Sequence, residues 1–240
     1  MCNRVRRTYT VHEVIDLVGA RFAPRTINFD ALRATNLEPR WNVAPKSIVP
    51  VLRELDGELR FDMLHWDMCP TMPWWTKQRV GETAEQAAKR RKPLMTNAVI
   101  EKVKTTGAAT FKKRRCLIPV SGFWEWTGEK GDKQGWAIEH CDGTPIMFAG
   151  VWDSGRHEGV DRDSVAIITM PASPWMSAIH DRQPAMLPPT AWPSYIDTVP
   201  DDLAAMTETV DDARFRAFKV SKRVNSVRND GPECLVPIAA

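Results

Sequence analysis

The chain has no CxxC pair, and its five cysteines, at 2, 69, 116, 141 and 234, are an odd number. That argues against a disulfide framework and against a zinc knuckle, and it fits a reducing compartment. No apolar segment follows the opening CNRVRRTYT, so neither a signal peptide nor a lipoprotein-type cysteine is expected. No hydrophobic run approaches membrane-spanning length. An internal repeat and a low-complexity linker are also missing, so residues 1–240 are read as a single domain. Net charge is only +3, which hints at an anionic partner without identifying one; where the charges lie says more than their sum. What remains is an ordinary globular balance, 43% hydrophobic and 26% charged, in a chain long enough for a substantial core.

The patterning is mixed. Thr10-Val11-His12-Glu13 has the capping-box spacing, and Val11, Val14, Ile15 and Val18 follow on one helical face, predicting a short helix to about Ala20. PRWNVAP, residues 39–45, reads as extended and Pro-bounded. Val49–Leu55 and Glu58–Trp66 alternate in polarity about Asp56-Gly57, which supplies the positive φ angles of a tight hairpin. WDMCPTMPWWT, residues 66–76, is an aromatic loop broken by prolines, and 81–92 is a polar, basic helix or insertion. From 116 to 170 the pattern is β: CLIPV, FWEWT, WAIEH, PIMFAGVWD and SVAIITM, separated by turn residues. Residues 172–212 read as more helical, and a short strand is expected around Leu235–Ile238.

Chemistry concentrates at a few positions. Once Met1 is removed, as is usual before a small residue, Cys2 presents an α-amine and a thiol on one residue. Together these two nucleophiles can close a five-membered thiazolidine on one aldehyde carbon. The amine titrates at roughly 7.7–8.0 and the thiol at roughly 8.5, so modest neighbours can activate both. The alternative is an incidental cysteine on a frayed terminus. Alternation places Glu125 on the face of its strand shared with Phe123, and Trp124 and Trp126 on the other. A carboxylate beside an aromatic has a raised pKa, suited to acid/base work, unless it is an edge-strand group facing water. His180, in IHDRQP, is either a proton shuttle or a solvated histidine. Asn97 is an uncharged amide able to orient a nucleophile. Trp74 and Trp75 stand in the Pro-rich loop, and basic clusters occur at 4–7, 89–92, 112–115 and 219–228. Exposed aromatics beside Lys and Arg hold single-stranded nucleic acid by stacking and phosphate contacts; singly, each cluster also reads as a solvated face.

In chain order, Met1-Cys2, PRWNVAP, Trp66 with its Pro/Trp loop, Asn97-Ala98 with Glu101, RRCLIPVSGFWEW, FAGVW, IHDRQPAML and VNSVRNDG resemble the SOS response-associated peptidase family, whose members process abasic sites in DNA. The resemblance implies an α+β fold, a largely antiparallel, curved, barrel-like β core with peripheral helices. It implies covalent capture of abasic sites in single-stranded DNA through Cys2, with Asn97, Glu125 and His180 around it and no cofactor or metal. Arg4, Arg114, Arg182 and Arg228, with Trp74 and Trp75, are the expected nucleic-acid contacts. A monomer in the cytoplasm, associated with the nucleoid, is expected. Asn3 stands where the family usually has Gly, Val99 where a basic residue is usual, and Trp66-Asp67 where Trp-Gly is usual; residues 77–96 are longer than usual. Two other readings stay open: an N-terminal-nucleophile amidohydrolase or self-processing peptidase, and a non-catalytic single-strand binder.

Overall fold

The computed structural model describes residues 2–68, 80–83, 85–86, 95–105, 107–129, 131–157 and 160–238. β1 (Val5–Arg7), β3 (Arg40–Val43), β8 (Gly122–Thr127), β9 (Gln134–His140) and β13 (Phe215–Lys219) form one sheet, ordered β13-β9-β8-β1-β3. The second sheet runs β12 (Arg182–Pro184), β11 (Val160–Pro171), β10 (Ile146–His157), β7 (Arg115–Val120), β4 (Ile48–Leu55), β5 (Glu58–His65) and β2 (Ile27–Asn28), with β6 (Asn97–Val99) beside β11. A single parallel bridge, Ser164 to His65, returns β11 to β5. Strands β11, β10, β7, β4 and β5 therefore close into a ring. This is the mixed, largely antiparallel, barrel-like core expected from the sequence.

Local chemistry explains the elements that formed as expected. The β4–β5 hairpin turns at Asp56 (φ 52°) and Gly57 (φ 81°), the two positive angles its tight turn requires. Helix α1 (Val11–Phe22) has a complete capping box between Thr10 and Glu13 and buries Val14, Val18 and Phe22. It runs two residues past Ala20 and stops at Ala23, which is extended because Pro24 follows. Alternation along the ring strands divides the interior. Leu117, Ala149 and Ala166 pack on the α1 side, whereas Cys116, Ile118, Phe148 and Val165 pack toward Val5, Phe123 and Ile138 of the first sheet. Strands covered on both faces need nearly continuous apolar runs, hence CLIPV and AIITM.

Two expectations need correction. No strand forms over 235–238: Pro232–Leu235 is a 3-10 turn, and only an isolated bridge joins Pro237 to Val220. The Pro-rich joints also prevent long helices in 172–212, leaving 3-10 turns, β12 and one six-residue helix, Trp192–Asp197. Two separate motifs turn out to be one clasp. The Asn42 amide donates to the carbonyls of Val224, Ser226 and Asn229, at 3.1, 3.0 and 2.8 Å. Asp230 accepts the backbone N–H groups of Trp41 and Asn42, both at 2.7 Å. The clasp holds the C-terminal segment over Trp124 and Ala137. Among the described residues no helix is long and apolar enough to cross a membrane.

Candidate active site

Strand pairing brings the start of the chain to Glu125. β1 lies antiparallel to β8 through Val5 and Phe123, and the Trp124 N–H donates to the Arg4 carbonyl at 3.0 Å. As alternation predicts, Glu125 shares the Phe123 face, and its cross-strand neighbour is Trp136. The side chain is only 2% exposed. Its Oε2 lies 3.8 Å from His180 Nε2, while Oε1 is buried without a hydrogen-bond partner among the described residues. Burial above all, with the Asp181 charge adding to it, raises this carboxyl to about 7.

His180 is placed by the turn before it. Met176 is fully buried, Ile179 packs on the same core, and the His180 N–H donates to the Met176 carbonyl at 3.0 Å. Its Nδ1 lies 3.0 Å from the Arg182 N–H and 2.7 Å from Asp181 Oδ1. Neutral, Nδ1 accepts from Arg182; protonated, it donates to Asp181. The ring thus has a built partner in either state, as a proton carrier needs. Burial holds its pKa below the ordinary value.

Cys2 is completely buried, with Sγ 3.9 Å from the Arg4 carbonyl. Burial, and after it the Glu125 charge, pushes the thiol well above its ordinary range. Burial here works against the thiolate, so a base must assist the sulfur. Asn97 stands on β6, which lies parallel to β11, and the Trp66 Nε1–H donates to the Thr96 carbonyl at 2.9 Å. Its amide Nδ2 donates to Asn3 Oδ1 at 2.8 Å.

A cleft of about 560 Å³ opens over Glu125 and His180, lined also by Asn3, Arg4, Trp126, Gly131, Lys133 and Asn225; Cys2 and Asn97 lie outside this lining. Arg4 is a wall rather than a free cation. Its Nη1 donates to Asn42 Oδ1 at 2.6 Å and to the Val224 carbonyl at 3.0 Å, and its guanidinium lies 5.3 Å from the Trp126 ring centroid. Trp126 in turn donates to Asn225 Oδ1 at 2.7 Å. The clasp therefore also builds the cleft. Among the described residues, no group of three or more His, Cys, Asp or Glu side chains is arranged to hold a metal ion.

Of the remaining expected contacts among the described residues, none lines this cleft. Arg114 pairs with Asp153 and lies over Trp152. Arg182 forms a two-pronged pair with Glu101, at 2.7 and 3.1 Å, although its backbone N–H serves His180. Arg228 is exposed on the C-terminal segment. Arg115 donates to the carbonyls of Phe111, Lys112, Tyr195 and Ile196, which makes its basic cluster partly an internal brace. Trp74, Trp75 and the cluster at 89–92 lie outside the described residues. Sequence reading missed Lys133 and Asn225 as lining groups. Lys133 sits in a Gly/Asp/Lys turn whose position over Glu125 follows only from the β8–β9 pairing.

Comparison with known proteins identifies the family. A family model described as SOS response associated peptidase (SRAP) matches residues 1–227. The chain is 28% identical over 246 residues to the abasic site processing protein YedK of Escherichia coli, covering 99% of this chain and 100% of that one. It is 27% identical over 210 residues to the abasic site processing protein YoqW of Bacillus subtilis, covering 82% and 85%. With the abasic site processing protein HMCES of Xenopus tropicalis it shares 25% identity over 275 residues, covering 99% and 78%. A solved structure from Bacteroides thetaiotaomicron shares the fold with a TM-score of 0.73 and 17% identity, over 99% of this chain and 100% of that one. With a family model matching nearly its whole length, the chain belongs to the SOS response-associated peptidase family.

Proposed function

We propose that this protein processes abasic sites in single-stranded DNA, capturing the sugar covalently on Cys2 after Met1 is removed. The observation that carries the reading is the pairing of buried Glu125 with half-buried His180 beside the residue that becomes the N-terminus. The relatives are named abasic site processing proteins, which supports the abasic site as the substrate.

The open form of an abasic sugar exposes an aldehyde. His180 moves a proton at the sugar oxygens to favour that form. The lone pair of the Cys2 amine attacks the aldehyde carbon, and Glu125, as carboxylate, takes a proton from nitrogen. The former aldehyde oxygen leaves as water, giving an imine. The Cys2 thiol then loses its proton and adds through sulfur to the imine carbon, while nitrogen is reprotonated. Aldehyde, amine and thiol become a thiazolidine plus one water. Ring closure removes the imine that would otherwise promote β-elimination and strand cleavage. Lys133, exposed at the cleft, and Arg4 supply positive potential for phosphates. We infer a monomer acting in the cytoplasm at the nucleoid.

Two expected results test the helpers and the strand preference. Glu125→Gln and His180→Ala slow adduct formation by roughly 10²–10⁴-fold in single-turnover gels, with little change in DNA affinity. The unaltered rate climbs as pH passes about 7, where Glu125 ionises, and the Gln variant loses that inflection. The same raised pKa has a stability signature. The protonated form favours the fold fully below the ordinary value of 4.5, and the benefit is lost as pH rises through about 7. The melting temperature of Glu125→Gln should therefore gain on that of the unaltered protein across this window, by an equivalent on the order of 1–3 kcal/mol. Equal losses of binding and rate in both variants would reduce the pair to a structural role.

Single strands should bind more tightly than intact duplex, with affinity falling as salt rises. Lys133→Ala should lower the slope of log affinity against log salt by about 0.7, the value for one phosphate contact on a single strand. A salt slope unmoved by that change would take Lys133 out of the interface.

A further inference from the structure

Asn3 carries a side chain that occupies a defined place. Its Oδ1 accepts from Asn97 Nδ2 at 2.8 Å and from Thr96 Oγ1 at 3.1 Å. Asn97 Nδ2 also lies 3.2 Å from Thr96 Oγ1. The two ends of an amide are fixed by their partners, and an acceptor oxygen with a hydroxyl beside it selects the NH2 end. The backbone beneath is held by the pairing of β6 with β11 and by the Trp66–Thr96 bond, so Asn97 reorients through its side-chain torsions alone. Its other end, Oδ1, is buried and has no hydrogen-bond donor among the described residues. A buried acceptor left empty is a poor arrangement unless a donor arrives in the working state.

We propose that Asn3 is a positioning residue: it locks the Asn97 amide so that its buried oxygen is presented to the nitrogen of Cys2. The inference rests on the capture reading above, in which that nitrogen is a free amine one peptide bond away from Asn3. One N–H of the amine donates to Asn97 Oδ1, which fixes the direction of the remaining lone pair for attack. Without the Asn3 acceptor, only the longer contact to Thr96 Oγ1 holds the NH2 end outward, and the Asn97 amide is freer to turn that end inward. That end cannot accept from the amine, and the lone pair loses its orientation.

The test uses the Met1-free protein and a radiolabelled abasic single strand, with Asn3→Gly, Asn3→Asp, Asn97→Ala and the Asn3→Gly/Asn97→Ala pair. Asn3→Gly should slow adduct formation roughly tenfold, an expected cost of misorienting a reacting group. Affinity for undamaged single strand should fall by much less than the rate of adduct formation. Asn3→Asp, which keeps an oxygen acceptor, should recover most of the rate. In the Asn97→Ala background, Asn3→Gly should add no further loss, because both changes remove one interaction. Independently of activity, exchange of the Asn97 side-chain amide hydrogens followed by NMR should be slow in the unaltered protein and faster in Asn3→Gly. An Asn3→Gly protein as fast as the unaltered one, or losses that multiply in the double variant, overturns the proposal. Absence of any adduct from the unaltered protein, with the slow amide exchange still present, would instead count against the capture reading, and the role given to Asn3 would fall with it.

Discussion

Cys2→Ala, freed of Met1, should form no adduct with abasic single-stranded DNA that survives denaturant, while the unaltered protein forms one without borohydride. The difference is total because the substitution removes the only atom that can close the ring, leaving an amine that reaches the imine and no further. An imine hydrolyses on denaturation; a thiazolidine holds the carbon through both nitrogen and sulfur. Cys2 is fully buried among Val5, Phe123 and Ile138, so loss of its sulfur also leaves a small cavity. Its cost should be modest, on the order of 1 kcal/mol. The variant should therefore melt cooperatively and still bind undamaged single strand, which separates chemistry from folding. A Cys2→Ala protein that crosslinks as well as the unaltered one, on denaturing gels, means that another nucleophile does the work.

The burial of Cys2 also bears on how much of the site the sequence could disclose. Period-two alternation was enough to put Glu125 on the Phe123 face, whereas the burial that raises its pKa is completed by other elements, Trp136 of β9 among them. Its meeting with His180 could not be read locally: the two are 55 positions apart and converge through β8 and a turn anchored by Met176. The same contrast runs through the fold. Asp56-Gly57 and the Thr10 capping box are short-range signals, and both elements form as expected. The closure of the ring rests on the Ser164–His65 bridge, and the clasp on Asn42 reaching Val224 to Asn229; neither leaves a local pattern. Basic clusters misled for a related reason. Arg114 and Arg182 look available in one dimension, but Asp153 and Glu101 neutralise them from strands and helices distant in sequence. Lys133 offered no signal beyond turn composition, yet it is the lysine that lines the cleft.

Retention of Met1 should abolish the durable adduct as completely as loss of the thiol, and it tests the chemistry at the opposite atom. While Met1 is attached, the nitrogen of Cys2 is a peptide amide whose lone pair is delocalised into the carbonyl and is not nucleophilic. The thiol alone can add to an aldehyde, but the product is a reversible hemithioacetal, and the high thiol pKa imposed by burial makes even that slow near neutrality. Protein that retains Met1, or carries an N-terminal tag, should bind single-stranded DNA with ordinary salt dependence and leave no band after denaturation. Cys2→Ser with Met1 removed is the complementary case. It keeps the amine and replaces sulfur by a poorer nucleophile, so an imine should accumulate that borohydride traps, with more strand cleavage by β-elimination. Mass spectrometry of the N-terminus, run on the samples used for crosslinking, assigns each outcome to a defined chain. A durable adduct from protein that retains Met1 throughout would rule out the thiazolidine and return the reaction to sulfur, or to a residue elsewhere in the cleft.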